Sequence, residues 1–141
     1  MTPQNKAKEN YLRRYQWDLQ ELEQMEQELA QLRLKALPGG ISYDGMPHGS
    51  GGENRADLAN YAATLDDFLA ETEERRRFLL QEIRDIKRAI EAVPVQRSRI
   101  LLRHIYINGM SWDDAAEAMG YSPGYAKRAL KSEALTNFRI L

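Results

Sequence analysis

With 141 residues, a net charge of −1 and no cysteine, the chain is sized for one domain or for a small domain with an elongated arm, and disulfides, thiolate metal sites and a cysteine nucleophile are excluded. The start, MTPQNKAKENYLRRYQWD, holds no apolar core of a signal peptide, and no apolar run approaches the roughly 20 residues of a membrane span. The expectation is a soluble cytoplasmic protein without membrane contact.

From about Lys6 to Leu37 there is neither glycine nor proline, and Gln, Glu, Leu and Arg dominate. These residues lose little side-chain freedom in a helix. Tyr11, Tyr15, Leu22, Met25, Leu29, Leu32 and Ala36 recur at heptad intervals, which predicts one helix roughly 45 Å long. Asp18 interrupts the seam, with Trp17 and Leu19 beside it.

PGGISYDGMPHGSGGEN, Pro38 to Asn54, follows, with six of the nine glycines and two of the five prolines. It reads as a long loop. A flexible linker is one reading. Ile41, Tyr43 and Met46 suit a loop that orders on contact. A phosphate cradle is excluded because no GxxxxGK is present.

From about Ala56 to Val93 a second long helix is expected. Leu58, Tyr61, Leu65, Phe68, Leu79, Ile86 and Val93 keep heptad spacing, with Thr72 and Arg75 in mid-seam and Leu69, Ile83 and Ile90 broadening the stripe. In ETEERRR, 71–77, acids precede arginines by three and four positions, the spacing of a solvated, ion-paired face. Two such helices make a hairpin with a narrow core of its own. A stripe this wide is expected to bury against a second copy, giving a homodimer or a higher homo-oligomer. The alternative is that the hairpin folds onto the C-terminal part of its own chain.

Pro94 stops the helix. Val95 to Asn108 reads as the next, ended by Gly109. Ser111 is an N-cap, with Asp114 three residues on. Trp112, Ala115, Ala116 and Met119 form the inward face of a two-turn helix that Gly120 terminates. Ser122 caps the next helix, with Pro123 in its first position. Tyr125, Ala126, Ala129 and Leu130 continue the apolar pattern. Ala116 stands four residues before Gly120 and Ala126 six after it. Small residues at those offsets allow the steep close crossing of a helix-turn-helix. From Pro94 onward the net charge is +3, against −4 before it, which points to a polyanion partner at one end.

The alternative is a purely structural helix corner; if the motif is a DNA-binding helix-turn-helix, the helix from Ser122 to about Ala134 is its recognition helix. Its outward side carries the candidate DNA-binding residues Ser122, Gly124, Tyr125, Lys127, Arg128 and Lys131. Residues near its N-terminus would face base edges in the major groove. Lys127, Arg128 and Lys131 can reach guanine edges or phosphates, and Ser122 with the first-turn N–H groups suits a phosphate. Tyr125 has two readings, packing on a sugar or thymine methyl, or core. Arg97, Arg99 and Arg103 are candidates for flanking phosphate contacts and equally for a solvated face. No catalytic, cofactor or metal site is expected: His48 lies in the loop and His104 on a helix, apart from any ligand cluster.

INGMSWDDAAEAMGYSPGYAKRALKSEAL, 107–135, resembles the sigma-factor region-4-like helix-turn-helix. The chain from about Ile41 is similar to the ArpU/RinA-type late-gene transcription regulators of phages of Gram-positive bacteria, in which a Met-Pro-x-Gly stretch stands where GISYDGMPHGSGGE, 40–53, stands here. Ala126 departs from the Val or Ile frequent in such motifs. The resemblance implies a regulator of phage or prophage late genes in a bacterial host cell. Double-stranded DNA would be its partner and RNA polymerase a candidate further one, with Lys127, Arg128 and Lys131 on the DNA side and Trp112 and Met119 in the core. The alternative function is DNA-packaging recognition like that of a phage small terminase. The expected architecture is all-α: a coiled-coil-like helical hairpin over 1–93 with the Gly-rich loop 38–54, then a helix-turn-helix domain over 94–141.

Overall fold

The structure, a computed structural model, describes residues 1–36 and 51–141. The chain is all-α, with no strand among the described residues. Two long helices, α1 (Pro3–Ala36) and α2 (Gly51–Glu91), pack together. They precede α3 (Gln96–Leu102), which continues through a π-helical turn (Arg103–Ile107), then α4 (Trp112–Met119), α5 (Pro123–Tyr125), a second π-helical turn (Ala126–Leu130) and α6 (Lys131–Asn137). The last three form one unbroken helical run, 123–137. Residues 37–50 of the expected loop, with Ile41, Tyr43, Met46 and His48, lie outside the described residues. Its last four, 51–54, belong to α2, which starts at Gly51 rather than near Ala56.

The chain divides into two compact units, Met1–Gln20 with Leu79–Leu141, and Glu21–Phe78. Both boundaries between the units fall inside the long helices.

The first unit holds the main core. Leu12, Ile86, Ile90, Val93, Leu101, Leu102, Ala116, Ala126, Leu130, Ala134, Leu135 and Phe138 are all buried in one cluster. The start of α1 and the end of α2 therefore bury their stripes against the C-terminal helices of the same chain, the second of the two solutions weighed above. Leu12 is absent from the predicted seam yet fully buried, while Tyr11 is only partly so, its ring centroid 6.1 Å from that of Phe138 with the planes tilted by 36°. Trp17, beside the interrupted seam, is 68% exposed.

Three helix ends in this unit are closed by side chains, two of them distant in sequence. Gln16 Nε2 donates to the Ile107 and Tyr106 carbonyls at 2.7 and 3.2 Å, where the helix run 96–107 ends before Gly109 at φ +66°. Lys8 Nζ donates to the Leu135 carbonyl at 2.9 Å, at the end of α6. Arg99 Nη1 donates to the Val93 carbonyl at 2.8 Å, beyond the end of α2. Each adds a donor among the last carbonyls of a helix, which the helix leaves short of partners, and the two cations also meet the negative end of a helix dipole.

In the second unit ion pairs link the two helices. Arg75 Nε lies 2.9 Å from Glu21 and Arg76 Nε 3.3 Å from Glu26, while Glu73 pairs with Arg76 and Arg77 at 3.6 and 3.4 Å along α2. Met25 is buried. The seam of α2 in both units runs through Leu65, Leu69, Thr72, Arg76, Leu79, Ile83, Ile86 and Ile90, whereas Tyr61, Phe68 and Arg75 are exposed. The predicted seam shares Leu65, Thr72, Leu79 and Ile86 with it. Steps of three and of four both fit a heptad, so the neighbouring pairs Phe68/Leu69 and Arg75/Arg76 are told apart only by packing against α1.

Replacing Leu12 by Ala should lower unfolding stability by about 3 kcal/mol, the usual cost of emptying a leucine-sized core site. Trp17→Ala should change it by less than about 0.5 kcal/mol, as at other exposed positions. Urea denaturation of the two variants checks the register.

Candidate nucleic-acid interface

The corner at 111–125 is built from local capping. The Asp114 amide donates to Ser111 Oγ at 3.1 Å and starts α4. At its other end Gly120 has φ +79°, its N–H donates to the Glu117 carbonyl at 3.1 Å, and the Tyr121 N–H donates to that of Ala116 at 2.9 Å. These are the paired bonds of a Schellman ending, which needs a left-handed residue and so favours glycine. Open space surrounds the place a Cβ would take at Gly120, so its backbone angle, not crowding, selects glycine there. Ser122 Oγ then accepts from the Tyr125 amide at 3.3 Å, with Pro123 at the first helical position.

Ala115, Ala116 and Ala126 are fully buried at the crossing, and Trp112 and Met119 pack against the same core. Alanines at these sites let the two helices approach closely. Along the run 123–137 the buried side is Ala126, Leu130, Ala134 and Leu135, while Tyr125 and Ala129, expected to continue the apolar pattern, are exposed. Tyr125 stacks on Tyr121, ring centroids 5.5 Å apart, so it belongs to the surface of the turn rather than to the core.

The six candidate residues separate into two groups. Ser122, Gly124, Tyr125, Lys127 and Arg128 are exposed together at the start of the run. The Arg128 guanidinium donates to the neutral Gly124 carbonyl at 3.2 Å and has no carboxylate partner among the described residues. Lys127 is 3.9 Å from Asp113, both well exposed, a separation at which water and salt largely screen the attraction. Lys131 is different. Its Nζ is 2.7 Å from Glu9 Oε2 and 5.5 Å from the centre of the Trp112 ring, with the side chain 20% exposed.

Glu9 was not singled out from the sequence. Its Oε2 also accepts from the buried Tyr106 hydroxyl at 3.0 Å, and its Oε1 lies 3.2 Å from Arg13 Nη2. Burial alone would push the Glu9 carboxyl up, but Lys131 and Tyr106, which donate to it, and the charge of Arg13 hold it below the ordinary carboxylate value. Burial and the adjoining carboxylate push the Tyr106 hydroxyl well above the ordinary phenol value. The readable sign is Glu9 at helical spacing from Leu12 and Tyr15, a charge on the inward stripe of α1.

The three upstream arginines are engaged as well. Arg97 Nε donates to Glu133 at 2.9 Å, which holds the Glu133 carboxyl below its ordinary range. Arg99 closes α2, and Arg103 lies 3.8 Å from Glu91. Lys127 and Arg128 stay exposed together at the start of the run 123–137, and Arg103, like Lys127, has only a loose ion pair.

Glu9→Gln leaves the Lys131 ammonium without its counter-charge and should cost about 2 kcal/mol at neutral pH, the scale of a hydrogen bond to a charged group. The Glu9 carboxyl titrates lower folded than unfolded, so its contribution is complete above the ordinary value of 4.5 and is lost as pH falls through the folded pKa. Thermal melts should show wild type and variant converging as the pH is lowered below 4.5.

No family model matches the chain, and no curated protein or solved structure is significantly similar to it.

Proposed function

We propose that this chain is a sequence-specific regulator that binds double-stranded DNA through the helix-turn-helix of α4 and the run 123–137, acting as a homo-oligomer on phage or prophage late genes in a bacterial cell. The carrying observation is the two-sidedness of the run 123–137. One side is sealed into the core by Ala126, Leu130, Ala134 and Leu135, and the other presents Ser122, Lys127 and Arg128 beside the helix start, with only a loose, exposed pairing of Lys127 to Asp113. Base edges in the major groove are met by residues near the N-terminus of such a helix, and phosphates by its cations and first-turn N–H groups. The late-gene setting rests on the resemblance of 107–135 to ArpU/RinA-type regulators, and RNA polymerase is a candidate second partner on the same ground.

Oligomerisation is supported by the second unit, where Leu34, Tyr61, Phe68 and Phe78 are 52%, 53%, 41% and 54% exposed. Tyr61 and Phe68 stand one heptad apart on the same flank of α2. A dimer would set two recognition helices roughly 34 Å apart on one face of the duplex.

The test is selection of a duplex from a random pool, followed by titration with Lys127→Ala/Arg128→Ala. The double variant should bind the selected duplex at least about tenfold more weakly, with a salt slope smaller by roughly two. Unchanged affinity with an intact fold would refute the assignment. In sedimentation, wild type should run as a dimer or larger and Phe68→Glu as a smaller species.

A further inference from the structure

The start of α1 stands beside the proposed recognition helix. Met1, Thr2 and Asn5 face Lys127, Arg128, Lys131 and Ser132 across an open cleft of about 660 Å³. Three of these lining residues are cationic and none is acidic. Lys131 is neutralised by Glu9, but Arg128 has no carboxylate partner among the described residues and Lys127 has a distant one. The opposite wall, formed by Met1, Thr2 and Asn5, carries no acid, and neither does the rest of the first turn of α1. That turn is the positive end of the dipole of a 34-residue helix. Thr2 Oγ1 accepts from the Asn5 amide at 3.1 Å and caps that turn. A cationic wall facing a helix N-terminus across water favours an anion placed between them.

The major groove is about 12 Å wide and is bordered by the two phosphate backbones. A helix lying in it has a backbone strand along its flank, where the cleft is. We infer that the first turn of α1 forms a backbone clamp with Lys127 and Arg128, seating phosphates of the DNA strand that borders the groove. This rests on the DNA-binding reading above and extends the interface from the helix-turn-helix to the opposite end of the chain. The clamp reads no sequence; it sets how the recognition helix sits on the duplex.

Thr2→Asp and Thr2→Asn isolate the effect. Both residues cap a helix at least as well as threonine, and they differ by one negative charge in the cleft. Thermal melts should show both folded. Thr2→Asn should bind the selected duplex and a random-sequence duplex as wild type does. Thr2→Asp should weaken both by the same factor, roughly threefold to tenfold, and reduce the salt slope by about one. If Thr2→Asp matches Thr2→Asn while Lys127→Ala/Arg128→Ala has lost affinity, the clamp is wrong and the helix-turn-helix assignment stands. If the double variant also binds as wild type, both are wrong.

Discussion

The geometry of the first unit depends on one buried carboxylate. Glu9 is nearly inaccessible and would be costly there alone, because a charge taken from water needs partners to replace its hydration. It has three: Tyr106 from the end of the run 96–107, Lys131 from the run 123–137, and Arg13 one turn along α1. One side chain thus ties the first long helix to the helix before the corner and to the helix after it. A purely apolar contact would tolerate sliding or rotation, whereas three directed bonds to one carboxylate do not.

Around that point α1 behaves as part of the C-terminal domain. Lys8 directly precedes Glu9 and Gln16 follows it by two turns, and each closes the carbonyl end of a different C-terminal helix. Leu12 and Tyr15 between them enter the core with Phe138 and Leu102. Residues from the beginning of the chain thereby complete helices more than ninety positions away. Whatever binds the run 123–137 binds a surface whose position α1 sets.

The same tie divides the basic residues by role. Lys131, at a helical spacing equivalent to that of Lys127, is spent on Glu9 and Trp112, and Arg97, Arg99 and Arg103 serve Glu133, Val93 and Glu91. Lys127 and Arg128 stay exposed together at the N-terminal end of the run 123–137, where the proposed helix-turn-helix would meet DNA.

Some of this is local chemistry and was legible in the residues. Ser111 and Ser122 as caps, Gly120 as a left-handed ending, Pro94 as a stop, and the small residues Ala116 and Ala126 at the crossing are each decided by neighbours within a turn, so the sequence alone determined the all-α class, the order of the elements and the corner itself. The heptad stripes showed that α1 and α2 pair, but a stripe two residues wide fits two seams, and the choice of Leu69 over Phe68 required α1 to be in place. The burial of Leu12, and the carbonyls closed by Lys8 and Gln16, were likewise decided by tertiary structure. So was the diversion of Lys131 from the exposed face, because the carboxylate that claims it lies 122 residues away. Hydrogen bonds and ion pairs act over a few ångströms of space regardless of chain separation, and a single sequence carries periodicity and capping but not that distance.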